Sequence, residues 1–243
     1  GRDDKLVAEL ADAAGRIDAN FVAIVGTPVP SVIGTDYLAL RRMSEKKVDI
    51  PVITIDTTGM ELYDIGAEKA FTELMRRFAK EEYAVVPGRT GVIGVDPLDM
   101  SDLDAADKIR AKVPGAVCYG MGSPFEDVCM ASAAERNIVT APSGMRAAKF
   151  LKERFGTPYE VYDPLAEDIL REAVSEQAPE CDMTGKRILV TDQQVRANSI
   201  RDCLMEMGAA EVCCATWFLQ ITDLAKTGDF RLKEEDDFEE IRK

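Results

Sequence analysis

The chain has 243 residues, 46% of them hydrophobic, and a formal net charge of -14 at pH 7. This size allows one large or two to three small domains with real cores, whereas the negative charge argues against binding to nucleic acid or anionic membranes. The absence of histidine excludes His-dependent triads, imidazole zinc sites and imidazole acid-base chemistry within this chain.

The first part of the chain predicts two units in which a strand, a loop and a helix follow one another. The predicted elements are a helix at 3–14, strands at 21–25 and 51–55, and helices from 37 and at 64–79. Both strands are short apolar runs, which suit parallel strands covered on both faces. Two successive units of this kind form a right-handed crossover, so both strand-end loops are expected at the same edge of one sheet.

Prolines and polar residues mark the loop after the first predicted strand. Pro28 and Pro30 lack backbone donors, so they are expected to prevent a helix directly after this strand. Ser31 or Thr35 is the predicted N-cap of the helix that begins near Tyr37. The small and cyclic residues of this loop would let a flat or large ligand approach the backbone closely.

Four strands that alternate with helices predict a more complete Rossmann-like unit in the middle of the chain. The predicted strands lie at 90–95, 115–119, 137–141 and 159–162, with helices at 101–112, 123–134, 144–155 and 165–176. The last part predicts strands at 187–191 and 211–216, a helix at 194–207 and an acidic helix from Glu234. Two strands are too few for an independent sheet.

The predicted fold class is α/β, with consecutive Rossmann-like parallel sheets flanked by helices. Charged or polar linkers at 80–89 and 177–182 predict domains at 1–88, 89–178 and 179–243. No run of 18 apolar residues occurs, and residues 1–5 do not form a signal peptide, so we expect a cytoplasmic protein. The missing initial Met and the short last domain favour a fragment of a longer chain.

A series of motifs along the chain resembles the nitrogenase component 1 family, which includes the alpha and beta chains of the molybdenum-iron protein. The motifs are, in order, 32–36 (VIGTD), 57–60 (TTGM) with Gly66, 91–99 (GVIGVDPLD), 134–139 (AERNIV), 143–145 (SGM), 155–159 (FGTPY), 185–190 (GKRILV) and 207–208 (MG). Each motif alone is a common α/β pattern, and their order makes the resemblance specific. The resemblance spans nearly all of the chain and implies the fold of the iron-molybdenum protein.

The chain departs from this family at three places where metal ligands are typical. It has Thr27-Pro28 where component 1 subunits place a cluster-ligating cysteine. The stretch 140–145 contains no thiol where the cofactor-holding cysteine stands, and Ala67 replaces a histidine. The resemblance therefore implies a nitrogenase-like oxidoreductase subunit without the usual cluster-ligating Cys and His. Its cofactor is unknown, and an iron-sulfur or other metal cluster would need ligands outside this chain.

The resemblance also implies partners. Component 1 proteins are dimeric or heterotetrameric, so a homo- or hetero-oligomer with a second component 1-like subunit is expected. The expected electron donor is an ATP-dependent iron-sulfur reductase. Two alternatives remain open, namely a non-catalytic scaffold or carrier of a cofactor, and a small-molecule or anion-binding α/β protein.

The six cysteines do not form a recognisable metal motif. None has C-x-x-C spacing, and the adjacent Cys213 and Cys214 would point to opposite faces of a strand. We expect most of them to be buried thiols in a reduced compartment. Only Cys181, in a polar stretch, is expected to be exposed.

The candidate cofactor-binding residues all lie in loops at predicted strand ends. They are Gly26, Thr27, Pro28, Thr57, Thr58, Gly122, Ser123, Ser143, Gly144 and Arg146. The segments 26–36, 56–66 and 141–146 are expected to converge around one inter-domain cleft, and the turns 120–123 and 141–144 have the composition of anion-binding turns. The alternative is that these residues only close turns and cap helices. No metal ligand and no dinucleotide or P-loop motif is predicted.

Overall fold

The computed structural model describes residues 2–100, 103–177 and 182–233, which form strands and helices in alternation. The strands are β1 (Val22–Val25), β2 (Val52–Ile55), β3 (Val86–Ile93), β4 (Ala116–Cys118), β5 (Ala134–Val139), β6 (Tyr159–Val161), β7 (Arg187–Thr191), β8 (Glu211–Thr216) and β9 (Phe230–Arg231). The helices are α1 (Arg2–Ala14), α2 (Pro28–Val32), α3 (Tyr37–Ser44), α4 (Tyr63–Phe78), α5 (Pro97–Met100), α6 (Ala105–Lys112), α7 (Phe125–Cys129), α8 (Met145–Phe155), α9 (Ala166–Gln177) and α10 (Gln194–Glu206).

The described strands form three parallel sheets, which confirms the predicted α/β class. Their strand orders are β1-β2, β4-β3-β5-β6 and β7-β8-β9. Every pairing between neighbouring strands is parallel, so the carboxyl ends of the strands in each sheet share one edge. Within the described ranges, no helix is both long and apolar enough to cross a membrane.

The first sheet follows the predicted crossover, but the loop after β1 differs from the prediction. A short helix, α2, begins at Pro28, although the prolines were expected to prevent one. A helix tolerates proline in its first turn, because the backbone N–H groups there have no partner within the helix. The predicted N-cap was also wrong. Neither Ser31 nor Thr35 caps α3, since the carboxylate of Asp36 accepts a hydrogen bond from the N–H of Ala39.

The middle sheet contains the four predicted strands and has core residues on both faces. One face packs against α4 and α8 through residues such as Phe71, Met75 and Leu151. The opposite face packs against α6 through Ile109 and its neighbours. Because α4 follows β2, a helix of the first unit belongs to the core of the middle sheet. The strand β3 begins at Val86, so the predicted boundary after residue 88 falls inside a strand.

Two helices near the middle sheet are shorter than predicted. The region predicted as a helix at 123–134 contains α7, a single 3-10 turn at Ala131–Ala133 and the start of β5 at Ala134. The expected helix at 101–112 begins at Ala105, and residues 101–102 lie outside the described ranges. Pro124 precedes α7, and the chain after Cys129 must turn within a few residues to reach the sheet.

The last sheet has three described strands instead of the predicted two. The strand β9 contains only Phe230 and Arg231, which pair with the end of β8. The buried pair of Arg201 and Asp229 holds the turn before β9, and Asp229 also accepts the N–H of Cys214 at 2.9 Å. Sequence patterning missed β9 because two residues carry no periodicity. The predicted acidic helix from Glu234 and the predicted exposure of Cys181 both lie outside the described residues.

Candidate functional site

The loops after β1 and β2 pack directly against each other. The hydroxyl of Thr57 donates a hydrogen bond to the carbonyl of Gly26 at 2.8 Å. Gly26 is buried, and a Cβ atom at this position would lie 2.1 Å from the carbonyl oxygen of Thr57. A Cβ atom on Gly59 would likewise lie 2.7 Å from the ring of Pro28. Gly26 was predicted to let a ligand approach the backbone, and in the structure its lack of a side chain lets the two loops touch.

One cavity of about 510 Å³ is lined by residues from all three segments that were expected to converge. Thr35 and Asp36 come from the first loop, Asp56 follows β2, and Arg146 lies at the start of α8. We call this space the cationic cavity, because four basic side chains line it. They are Arg41, Lys69, Arg76 and Arg146, and the acidic residues of the lining are Asp36, Asp56 and Glu73.

The other candidate residues lie around this cavity or apart from it. Ser143 and Gly144 are buried and do not line the cavity, and a Cβ atom on Gly144 would lie 2.7 Å from the carbonyl oxygen of Ile93. Thr27 and Pro28 are exposed, and the hydroxyl of Thr58 accepts the N–H of Met60 at 3.1 Å.

The turn that contains Gly122 and Ser123 does not line the cationic cavity. Arg110 donates a hydrogen bond to the carbonyl of Gly122 at 2.5 Å. The helix that follows, α7, has only five residues. Anion binding at this turn stays a prediction.

A second group of polar residues joins the strand ends of the three sheets, and we call it the strand-end junction. At its centre Arg196 donates to the carboxylate of Asp163 at 2.7 Å and to the carbonyl of Asp99 at 2.8 Å. The side chains of Arg196 and Asp163 are 8% and 0% exposed. Tyr63, at the start of α4, donates its hydroxyl to the carboxylate of Asp99. Residues that follow β2, β3, β6 and β7 therefore meet in one network.

Two adjacent glutamines extend this junction. The amide of Gln193 donates to the carbonyl of Thr140 at 2.7 Å, which joins the loop after β7 to the loop after β5. Gln194 bonds the backbone of Ile221 in both directions, at 3.0 and 2.7 Å. Asp64 accepts the N–H of Leu219, so the loop after β8 is held as well. Phe218 meets the ring of Tyr63 edge to face at 5.3 Å.

Burial changes the proton affinity of several groups in the strand-end junction. It raises the pKa of Asp99 to about 6, although the hydrogen bond from Tyr63 and the charge of Arg196 oppose this rise. Burial, followed by the hydrogen bond to Asp99, also raises the pKa of the Tyr63 phenol. Burial raises the pKa of Asp64 and of Asp192 as well. Perturbed carboxyl groups that cluster between sheets are typical of functional sites.

The raised pKa of Asp99 gives the stability of the protein a pH dependence of defined sign. The pKa is about 6 in the folded protein and 3.8 ordinarily, so the folded state binds more protons between these values. The contribution of Asp99 is fully present below pH 3.8 and is lost as the pH rises through about 6. We expect Asp99→Asn to remove this part of the pH dependence of the free energy of unfolding.

Urea unfolding of both proteins at several pH values would measure the difference. The control is Asp107→Asn, which changes a carboxyl group that is 78% exposed. This control should reproduce the wild-type profile. If the free energy of unfolding changes with pH in the same way for wild type and Asp99→Asn, Asp99 does not titrate between pH 3.8 and about 6.

Sequence reasoning missed the strand-end junction. Its members Tyr63, Asp99, Asp163 and Arg196 were not among the candidate residues. The sequence did contain an indication of this region. Three aspartates follow a strand within three residues, namely Asp96, Asp163 and Asp192. Ligands of α/β sheets bind at the carboxyl ends of strands. The pairing of these residues depends on contacts across up to 97 residues, which local patterns do not contain.

The described cysteines do not fit a metal cluster. Cys118, Cys129, Cys203, Cys213 and Cys214 are all free, and the described residues contain no group of three or more Cys, Asp or Glu that could hold a metal ion. Burial raises the pKa of Cys118 and of Cys214 to about 11, whereas a metal ligand must be a thiolate. Cys213 is half-buried and Cys214 is buried on β8, which agrees with the predicted alternation.

Comparison with solved structures shows a similar fold in nitrogenases. Nitrogenase Cp1 at pH 6.5 matches with a TM-score of 0.64 and 13% sequence identity, over 98% of this chain and 65% of that chain. Nitrogenase Cp1 at pH 5 matches with a TM-score of 0.62 and 18% identity, over 99% of this chain and 56% of that chain. The chain thus spans less than two thirds of the length of these nitrogenase chains.

The sequence was also compared with curated proteins and with protein-family models. No curated protein matches the chain. The family model described as nitrogenase component 1 type oxidoreductase matches residues 1–166. Because this match covers more than half of the chain, the protein belongs to the nitrogenase component 1 type oxidoreductase family.

Proposed function

We propose that this chain is part of a nitrogenase-like oxidoreductase subunit that accepts electrons and binds a cofactor or substrate between its sheets. The electron donor in this proposal is an ATP-dependent iron-sulfur reductase, and a second component 1-like subunit completes the assembly. The proposal places the protein in the cytoplasm. Membership of an oxidoreductase family supports the proposed redox role. The strand-end junction supports binding of the cofactor or substrate between the sheets.

The observation that carries the proposal is the meeting of strand ends from three sheets at half-buried and buried titratable groups. Tyr63 and Asp99 lie between the first and middle sheets, and Arg196 connects both to the third sheet. Many reductions of small molecules consume protons together with electrons. Since the chain has no histidine, the Tyr63 and Asp99 pair is suited to hold a proton near neutral pH, because the pKa of Asp99 is raised to about 6.

The cofactor in this proposal takes no cluster ligand from the described cysteines. The described thiols are dispersed, and two of them are deeply buried. An iron-sulfur or other metal cluster would therefore depend on ligands from outside this chain, as the departures at Thr27-Pro28 and Ala67 also imply. What the described residues contribute is the enclosing surface, the charge of Arg196 and the carboxyl groups around it.

Anaerobic purification of the full-length protein with its second subunit and its reductase tests this proposal. We expect ATP-dependent oxidation of the reductase by the complex, with iron or another cofactor found by metal analysis and EPR. A complex that accepts no electrons from the reductase would contradict the redox role. A colourless, iron-free complex that still accepts electrons would agree with the redox role and would exclude an iron-containing cluster as the cofactor.

A non-catalytic carrier of a cofactor is the second proposal, and the dispersed thiols favour it. A carrier needs to release its cargo, which strong thiolate ligands would oppose. It predicts binding of a cofactor without turnover by this subunit. Reduction of a substrate by the isolated subunit with an artificial electron donor would contradict the carrier role.

A further inference from the structure

The cationic cavity lies apart from the central contacts of the strand-end junction and has an unusual charge for this protein. Its volume is about 510 Å³, and its four basic residues come from three helices, namely α3, α4 and α8. The whole chain carries a formal charge of -14. Four basic and three acidic side chains line this space, so its net charge is slightly positive within an acidic protein.

Two of the four basic side chains already have partners. The ammonium group of Lys69 donates to the carboxylate of Glu61 at 2.8 Å and to the carbonyl of Asp56 at 2.7 Å. Arg76 lies 4.0 Å from Glu73, one turn earlier on the same helix. These contacts position the side chains of Lys69 and Arg76 on α4.

Arg41 and Arg146 have no such partners within the described part of the chain. The Nε atom of Arg41 is buried and makes no hydrogen bond. Arg146 is exposed at the start of α8, and among the described residues no hydrogen bond or ion pair holds its guanidinium group. Burial raises the pKa of Glu68 and the charge of Arg146 opposes this rise, so one carboxyl group lies within electrostatic range of Arg146. A buried N–H without an acceptor costs free energy that a bound acceptor would recover. Arg41 and Arg146 line the same cavity, so one bound molecule can contact both residues.

We propose that the cationic cavity binds the oxyanion group of a small polar molecule, with Arg41 and Arg146 as the binding residues. A guanidinium group matches the oxygen atoms of a phosphate or a carboxylate in planar, two-point contacts. The volume is within the range of small-molecule sites, about 300–1,000 Å³, and exceeds that of an inorganic anion. Asp36 and Asp56 lie on the same lining, so the molecule also carries hydroxyl or amino groups that donate to them.

Calorimetric titration of the purified full-length protein with inorganic phosphate, and separately with succinate, tests this proposal at low salt. The two probes distinguish a phosphate from a carboxylate as the bound group. We expect one probe to bind, and Arg146→Gln to weaken its binding by about tenfold or more, because a charge-assisted contact is lost. Arg146 is exposed, so this variant should keep the wild-type circular dichroism spectrum.

The matched control is Arg42→Gln, which removes an exposed arginine of α3 that does not line the cavity. This control should bind the probe with less than about a twofold change, since only long-range charge is lost. Arg41→Gln should weaken binding as Arg146→Gln does. Binding of neither probe, or equal affinity for wild type and Arg146→Gln, would overturn the proposal. Because no reductase takes part in this titration, such a failure would leave the proposed redox function untouched.

Discussion

Replacing Asp163 by Asn is expected to lower the free energy of unfolding by about 3 kcal/mol, the lower end of the cost of breaking a buried ion pair, because Arg196 keeps the carboxylate of Asp192 at 3.5 Å. Asp163 is completely buried and accepts from Arg196 at 2.7 Å. Its other carboxylate oxygen accepts the N–H of Leu165 at 2.9 Å, a bond that Asn can keep. The amide nitrogen of Asn would instead face the guanidinium group, so two donors would oppose each other.

Urea unfolding followed by circular dichroism and by the fluorescence of Trp217, the single tryptophan of the chain, measures this loss. The matched control is Glu211→Gln, which neutralises one partner of the exposed pair with Arg187, where the side chains are 51% and 81% exposed. A solvent-exposed pair contributes about 0–1 kcal/mol. Equal losses for the two variants would mean that the strand-end junction does not depend on its buried ion pair.

Replacing Gly26 by Ala is expected to lower the free energy of unfolding by about 3 kcal/mol, near the upper end for overpacking a tight contact. The new Cβ atom would lie 2.1 Å from the carbonyl oxygen of Thr57 and 2.8 Å from its nitrogen. Both are backbone atoms, so they cannot move aside as a flexible side chain would. The loops after β1 and β2 would separate, and the hydrogen bond from Thr57 to Gly26 would be lost.

Thermal unfolding and amide hydrogen exchange of the loops measure this change. Gly15→Ala is the matched control, because its new Cβ atom would meet only ordinary contacts, the nearest at 3.5 Å. We expect this control to stay within about 0.5 kcal/mol of wild type. A stable Gly26→Ala variant with unchanged exchange at Thr57 would contradict the close packing of the two loops.

Much of the fold follows from local sequence patterns. The apolar runs at β1, β2 and β7 and the amphipathic helices α4 and α8 were predicted, because strand and helix periodicities are local properties. The cap of α3 was assigned to Ser31 or Thr35, although Asp36 stands next to the helix. Three polar residues compete for one position there, and only the backbone geometry decides among them. The short β9 depends on its pairing with β8 rather than on its own two residues.

The functional regions were predicted less completely, for a related reason. Arg146 was a candidate because it follows a strand and a tight turn, and it lines the cationic cavity. Arg41 was not a candidate, because nothing in its local sequence separates it from Arg42. The difference is that Arg41 faces the cavity while Arg42 is exposed. Arg196 follows a strand of the third sheet, whereas Asp99 and Asp163 follow strands of the middle sheet, so their meeting depends on how these sheets pack.

Two contacts of the strand-end junction join residues that are far apart in the chain. Arg196 and Asp99 are 97 residues apart, and Asp64 and Leu219 are 155 residues apart, whereas β1 and β2 pair across a much shorter separation. Closing long loops costs more chain entropy, so we expect the sheets to form first and the junction to close last. A junction that closes last would let a large cofactor or substrate enter after the sheets have formed.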